Sequence, residues 1–436
     1  MGTMKTIMPL LAIVLLVLNQ PSWAGADERN QARRIHDRLT GVGATNAVID
    51  DMEHLLNNNS NSLPAISGSP AYFGDTSGKS AAQYAIDTVR NPNAHYFYNV
   101  TLKNFAAPWT NEAQTVFTPL NDYSATVIGA IRDDIDFREI LYGDLVYVGR
   151  AGGISPYEND NNDHYEELED LGPVAGDLSN PTILERDRQS IVSRLAEDAT
   201  AGIMTSRAAA MAFFSDGTNR AMFRFTLMNH LCTDLEPLKD VSRIPDRVRR
   251  DVSRSPGGDS RIFLNGCVGC HAGMDGMAGA FAHYEWTYPA NNIPGGFLDY
   301  TEGAVSLKHN INPDNFEHGY VTDDDSWINY WRNGPNSTLG NRPGDTGSGW
   351  GHPAEVLDSK SNATGNGAKS LGIELANSKA FAQCQVDKVF KAVCLRDANV
   401  FKADRDARDA FVTNFRGGGY KMREVFTNAA AHCRGG

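Results

Sequence analysis

The chain has 436 residues, 53 acidic and 40 basic, for a net charge of -13. Such a surface repels nucleic acid and is steered towards basic partners, so nucleic acid is excluded as a ligand and any partner protein is expected to be basic. The length suits two or three domains' worth of core, and no run beyond the first two dozen residues reaches the roughly 20 apolar residues of a transmembrane helix.

The N-terminus has the layout of a secretory signal. Lys5 supplies a short positive region, Ile7 to Leu18 is apolar but too short to span a bilayer, and Ser22-Trp23-Ala24 is a small-x-small cleavage pattern. A signal peptide over residues 1–24 is expected, removed after Ala24 or Ala26, with a periplasmic or secreted product. No cysteine follows closely, which argues against a lipoprotein anchor.

Residues 25–200 read as a mostly helical domain of unknown role. Helical patterns cover Asp27 to Asp37, Thr45 to Leu56, Ser80 to Val89, Asn121 to Ile131 and, briefly, Phe137 to Tyr142, while Leu145 to Val148 is the best strand candidate. Asn57 to Ser62 is a loop by composition and Asn91-Pro92-Asn93 a turn. Asn58-Asn59-Ser60 and Asn99-Val100-Thr101 match the glycan sequon, each read as a surface turn. Tyr157 to Asp170, the most acidic run, lacks the Gly that an EF-hand loop needs at its sixth position and reads as a solvated loop entering a short helix.

Helices are expected to dominate from residue 201 on. Met204 to Cys232 is helical with a break near Ser215-Asp216-Gly217, and Arg220 and Arg224 stand one turn apart. A basic stretch follows, with Arg243, Arg247, Arg249, Arg250, Arg254 and Arg261 set against Asp246, Asp251 and Asp259.

The chain is organised around Cys267-Val268-Gly269-Cys270-His271. Two thiols three positions apart can add to the two vinyl groups of a porphyrin, and the adjacent imidazole is carried under the ring to the iron. One covalent haem c is therefore expected, with thioethers at Cys267 and Cys270 and His271 as proximal ligand. Zinc would need a second close pair of ligands, which Cys232, Cys384, Cys394 and Cys433 do not supply as a CxxC. A thioredoxin-like pair would sit in a βαβ turn, whereas Gly residues flank this one. Arg261 is the nearest guanidinium for a haem propionate.

The sixth ligand is open. Met222, Met228 and His230 lie upstream. Met274 and Met277 follow His271 too closely for distal ligation and are expected to pack beneath the ring. His283, His309, His318 and His352 lie downstream in a Gly-, Asn- and Asp-rich region that also holds Trp327, Trp331 and Trp350, a region placed to fold over the haem.

Four cysteines remain, an even number in an oxidising compartment. A helix over Ala382 to Leu395 would hold Cys384 and Cys394 about 15 Å apart, beyond disulfide reach. The favoured pairs are Cys394 with Cys433 and Cys232 with Cys384; the swapped arrangement is second.

Arg261 to Asp275 (RIFLNGCVGCHAGMD), with Ala280-Phe281-Ala282 after it, resembles the CxxCHxxMD segment of poorly characterised exported monohaem c-type cytochrome domains of bacteria. Leu375 to Val393 and Phe415 to Phe426 are similar to the C-terminal helical domain that accompanies them. The resemblance covers roughly the last 230 residues and departs from the pattern at Gly276, where Pro is frequent, and at Cys394, where Gly is commoner. It implies a helical haem-bearing fold over 201–436. The expected fold class is mainly α: a helical cytochrome c-like haem region, a long N-terminal helical region and extended loops. Electron transfer is the expected role. The alternative is a haem enzyme, peroxidase- or oxygenase-like, with an open distal site. A carrier needs only on the order of 100 residues, which leaves much of the chain for a partner or substrate region.

Overall fold

A computed structural model describes residues 24–57, 62–214, 219–248, 260–288, 295–306, 320–340, 349–351 and 356–435. Residues 1–23, the sequon at Asn58, the break at Ser215-Asp216-Gly217, Arg249, Arg250, Asp251, Arg254, Asp259, His309, His318 and His352 lie outside the described residues.

The chain is mainly helical. Helices α1 (Ala24–Thr40) and α2 (Asn46–Asn57) pair through Ile35, Leu39, Val48, Ile49, Met52 and Leu55, all buried and spaced for one helical face. A two-residue ladder, β1 (Ser62–Leu63) with β2 (Tyr72–Phe73), leads to α3 (Lys79–Ala85). Asn99 is no surface turn: it lies in a helical segment, and its side-chain amide donates to Asp177 and to the His95 carbonyl.

Helix α4 (Asp122–Arg132) is buried along its whole length. Asn121 starts it with a reciprocal cap in which its side chain accepts from the Ser124 N–H and the Ser124 hydroxyl accepts from the Asn121 N–H. The expected strand appears one residue later as β3 (Val146–Gly149), and it pairs antiparallel with β4 (Leu184–Asp187). Between them the acidic run forms a loop and then α5 (Asp163–Asp170), which docks through His164 on the Gly149 N–H and Tyr165 on the Tyr147 carbonyl. Buried Asp122, in α4, accepts from the N–H groups of Arg207 and Ala208 and so caps α6 (Arg207–Phe213) from a distance.

Helix α7 (Asn219–His230) packs against α8 (Val268–Ala278), the helix of the CxxCH motif. Helices dominate beyond residue 201 as expected, and among the described residues five short strands accompany them. β5 (Tyr284–Thr287) pairs with β6 (Phe297–Tyr300), and β7 (Ser326–Asn329), β8 (Val356–Leu357) and β9 (Ala363–Asn366) form a sheet in the order β7-β9-β8. Strands of two to four residues are too short to display alternation in sequence.

The chain closes with α9 (Gly367–Ala376), α10 (Lys379–Cys394), α11 (Lys402–Gly417) and α12 (Met422–His432). Both favoured disulfides are present, and the swapped pairing is excluded. Cys232–Cys384 ties the end of α7 to α10 with a Cα separation of 5.2 Å, and Cys394–Cys433 ties α10 to the end of α12 with 5.4 Å. α12 also contacts α1 and α3, and one apolar core runs from Ala32 to Cys433. Among the described residues no helix is long and apolar enough to cross a membrane.

Candidate functional site

The motif enters its helix through a wide turn. Residues Ser260–Ile262 begin a helical run that widens into a π-helical turn over Phe263–Cys267 and tightens into α8 at Val268. Such insertions re-aim side chains and recur at functional sites. Cys267 sits at the junction, beside a small apolar cluster of Val248, Phe263, Val268 and Ala272 that is separate from the main core. Phe263 stands 6.5 Å, ring to ring, from His271.

Cys267 and Cys270 are the two free cysteines, and both are partly exposed. Burial, with Glu236 nearby, raises the Cys270 thiol above its ordinary value. It is held as a thiol, the opposite of the low-pKa thiolate expected of a redox nucleophile. Among the described residues no group of three or more His, Cys, Asp or Glu is placed to hold a metal, so a zinc site built from protein donors alone lacks its set.

His271 is oriented by Asp275, one turn on along α8. The two ring-to-carboxylate atoms, Nδ1 and Oδ1, are 3.0 Å apart. Arg220, on α7, grips the same carboxylate with two parallel bonds, Nε to Oδ1 at 2.8 Å and Nη2 to Oδ2 at 2.9 Å. The Asp275 side chain is 3 % exposed and that of His271 22 %. Burial alone would raise the Asp275 carboxyl; the Arg220 charge and the hydrogen bonds from His271 and Arg220 outweigh it and hold the group at about 2. With Nδ1 engaged, Nε2 is the ring nitrogen left over, and among the described residues it has no hydrogen-bond partner.

A c-type haem asks the protein for two thiols and one imidazole nitrogen, since the porphyrin brings four donors of its own. Cys267, Cys270 and the Nε2 of His271 fit that requirement. Val241, Ile244, Ile262 and Leu264, all ahead of the motif in sequence, are exposed apolar side chains, and Val241 comes up against Gly269 together with the Lys239 side chain.

The other expected residues are placed as follows. Arg261 is exposed in the turn before Phe263, six residues ahead of Cys267. Arg243 pairs with Asp240, and Arg247 donates to the Tyr320 hydroxyl. Arg224 pairs with Asp234. Met274 and Met277 are buried on α8, as expected. Met222 is buried in the core, Met228 packs against it, and buried His230 places its Nε2 2.8 Å from the Tyr123 hydroxyl, so α7 does not direct these side chains to the motif. His283 is buried beside Asp325, twelve residues beyond His271 along a nearly continuous helical run, roughly 18 Å at helical rise. One iron cannot bridge that distance.

The tryptophans are also corrected. Trp327, Trp331 and Trp350 are buried in the main core, and Trp331 lies against Gly273, about 200° round α8 from His271. Trp331 backs the helix on the side away from His271, while Trp327 donates to the Ser370 hydroxyl and Trp350 to the Asn336 carbonyl. Asp275 is the residue whose role the sequence reading did not assign. Its signal was the i,i+4 spacing from His271, which places the two on one face; Arg220 comes from another helix and carries no such signal.

Compared with family models, curated proteins and solved structures, the chain matches none of them.

Proposed function

We propose that this is an exported monohaem c-type cytochrome that transfers electrons through a haem attached at Cys267 and Cys270 and ligated by His271, of the same kind as the CxxCHxxMD domains it resembles. One observation carries the reading. In a chain whose other four cysteines are paired, the two free thiols are those of the CxxCH motif, and the adjacent imidazole has one nitrogen fixed by Asp275 and the other without a hydrogen-bond partner among the described residues.

Haem c would supply one-electron exchange between Fe(II) and Fe(III). The chain's own groups supply the rest. Cys267 and Cys270 anchor the ring, His271 ligates from one side, and the small apolar cluster of Val248, Phe263, Val268 and Ala272 packs beside the attachment turn. Arg261 is positioned in sequence to pair with a propionate. The acidic surface steers a basic redox partner. Export directed by the signal over 1–24 would bring the chain to an oxidising compartment, in keeping with the two disulfides.

The test is to mature the full chain in a host that attaches c-type haem, then record its mass and its absorption and EPR spectra. A mass increase of one haem, an alkaline pyridine spectrum of the thioether type and low-spin iron that ignores carbon monoxide support the carrier. An apo mass with two free thiols sinks the reading. The second reading, a haem enzyme with an open distal position, draws on the carboxylate behind His271, an arrangement that enriches the ligand; high-spin iron that binds carbon monoxide or cyanide would favour it.

A further inference from the structure

We propose that Asp275, gripped by Arg220, is the positioning residue of the iron ligand: it fixes His271 with Nδ1 protonated and Nε2 presented to iron, and the balance between the Asp275 and Arg220 charges sets the iron's reduction potential. The inference rests on the haem reading above and goes beyond it by assigning what tunes the centre.

The geometry is specific. Oδ1 of Asp275 is shared, accepting both from His271 and from Arg220, whereas Oδ2 accepts from Arg220 alone among the described residues. A carboxylate held only for structure would be satisfied by the two-pronged guanidinium; here the imidazole converges on the oxygen already in use. The contact is built between two helices, and Asn219, next to Arg220, donates to the Ala278 carbonyl at the far end of α8 at 2.6 Å, so the first turn of α7 is locked onto α8 at two points. Side chains of 14 % and 3 % exposure exclude bulk water from the pair.

Opposite electronic demands follow. A carboxylate accepting from Nδ1–H makes the imidazole a stronger donor, which favours ferric iron, while Arg220 draws charge from the same carboxylate and moderates that effect. Asp275→Asn keeps an acceptor oxygen but removes the negative charge. Arg220→Gln leaves the carboxylate to His271 alone. The two variants therefore move the potential in opposite directions, which a loss of packing does not do.

Spectroelectrochemical titration of wild type, Asp275→Asn and Arg220→Gln, each shown by mass to carry one haem, tests this. The expected result is a higher potential in Asp275→Asn and a lower one in Arg220→Gln, each by at least a tenfold change in the ferric–ferrous equilibrium, about 59 mV for one electron. Shifts of the same sign, or none, in haem-loaded variants overturn the assignment of Asp275 and leave the haem reading standing. If Asp275→Asn fails to mature, Arg220→Gln decides alone: a lowered potential supports the proposal, and an unchanged or raised one overturns it. Wild-type protein that carries no haem overturns both.

Discussion

Gly273 and Trp331 are in such close contact that a Cβ on the glycine would fall inside the indole ring. Trp331 is buried beneath α8, and Gly279, two turns further along, meets the Ser326 carbonyl of β7 in the same way. The motif helix is thereby seated on the sheet through bare backbone. Gly273→Ala should lower the unfolding midpoint in urea by the equivalent of about 1–3 kcal/mol, the usual range for overpacking. Pairing it with Trp331→Leu should recover part of the loss, a coupling that a double-mutant cycle measures. Additive losses would mean that the two sites do not press on one another.

His271→Ala should retain the mass of one haem, because the thioethers do not need the imidazole, and lose the low-spin ferrous spectrum. Absorption spectroscopy of the reduced protein checks it. A spectrum identical to wild type would show that another side chain ligates the iron on that face.

Glu374, fully buried in α9, receives two bonds from Arg332, with Nε to Oε1 at 2.8 Å and Nη2 to Oε2 at 2.7 Å, and a third from Asn329. Glu374→Ala removes two charge-assisted bonds from a guanidinium whose side chain is 7 % exposed. The expected cost is about 3–5 kcal/mol, read from urea denaturation. Glu374→Ala and Arg332→Met together should cost less than Glu374→Ala alone, since the buried guanidinium that loses its carboxylate is then gone as well.

Acid should weaken the C-terminal helices through Asp404. Its carboxyl is held below the usual carboxylate range, chiefly by the two bonds from Arg396 and further by the His432 ring, Nε2 to Oδ1 at 2.8 Å. A depressed folded-state value contributes stability that is full above the unfolded value near 4 and is lost as pH falls through the folded one. Asp404→Asn should therefore melt below wild type at pH 7, with the gap closing below about pH 4. Melting curves across pH 2.5–8 decide, and a gap that persists at low pH would assign the loss to packing.

Helices with long apolar spacing could be read directly from the chain: Val48, Ile49, Met52 and Leu55 in α2, and Val386, Val389, Phe390 and Val393 in α10. That second pattern also ruled out one of the three possible disulfide pairings, because a helix cannot bring Cys384 to Cys394, and left two open that the fold decides. β4 could not be read, since Leu184-Glu185-Arg186-Asp187 has one apolar residue in four and is recruited by backbone pairing with β3. The strands around Trp327 were hidden by their length. At the site, the thiols and imidazole follow from one pentapeptide, whereas the Arg220 contact joins residues 55 apart in the chain and arises only when α7 packs on α8.

The two disulfides sit at different depths. Cys394 and Cys433 are both sealed in the core, with the Arg38 guanidinium on the Cys433 carbonyl, while Cys232 is exposed and its partner Cys384 buried. A mild reductant would therefore meet them in sequence, severing α7 from α10 while the α10–α12 staple endures. The first tether to part holds α7, the helix that bears Arg220, so reduction at Cys232 would slacken the Arg220 grip on Asp275 while the C-terminal helices stay stapled.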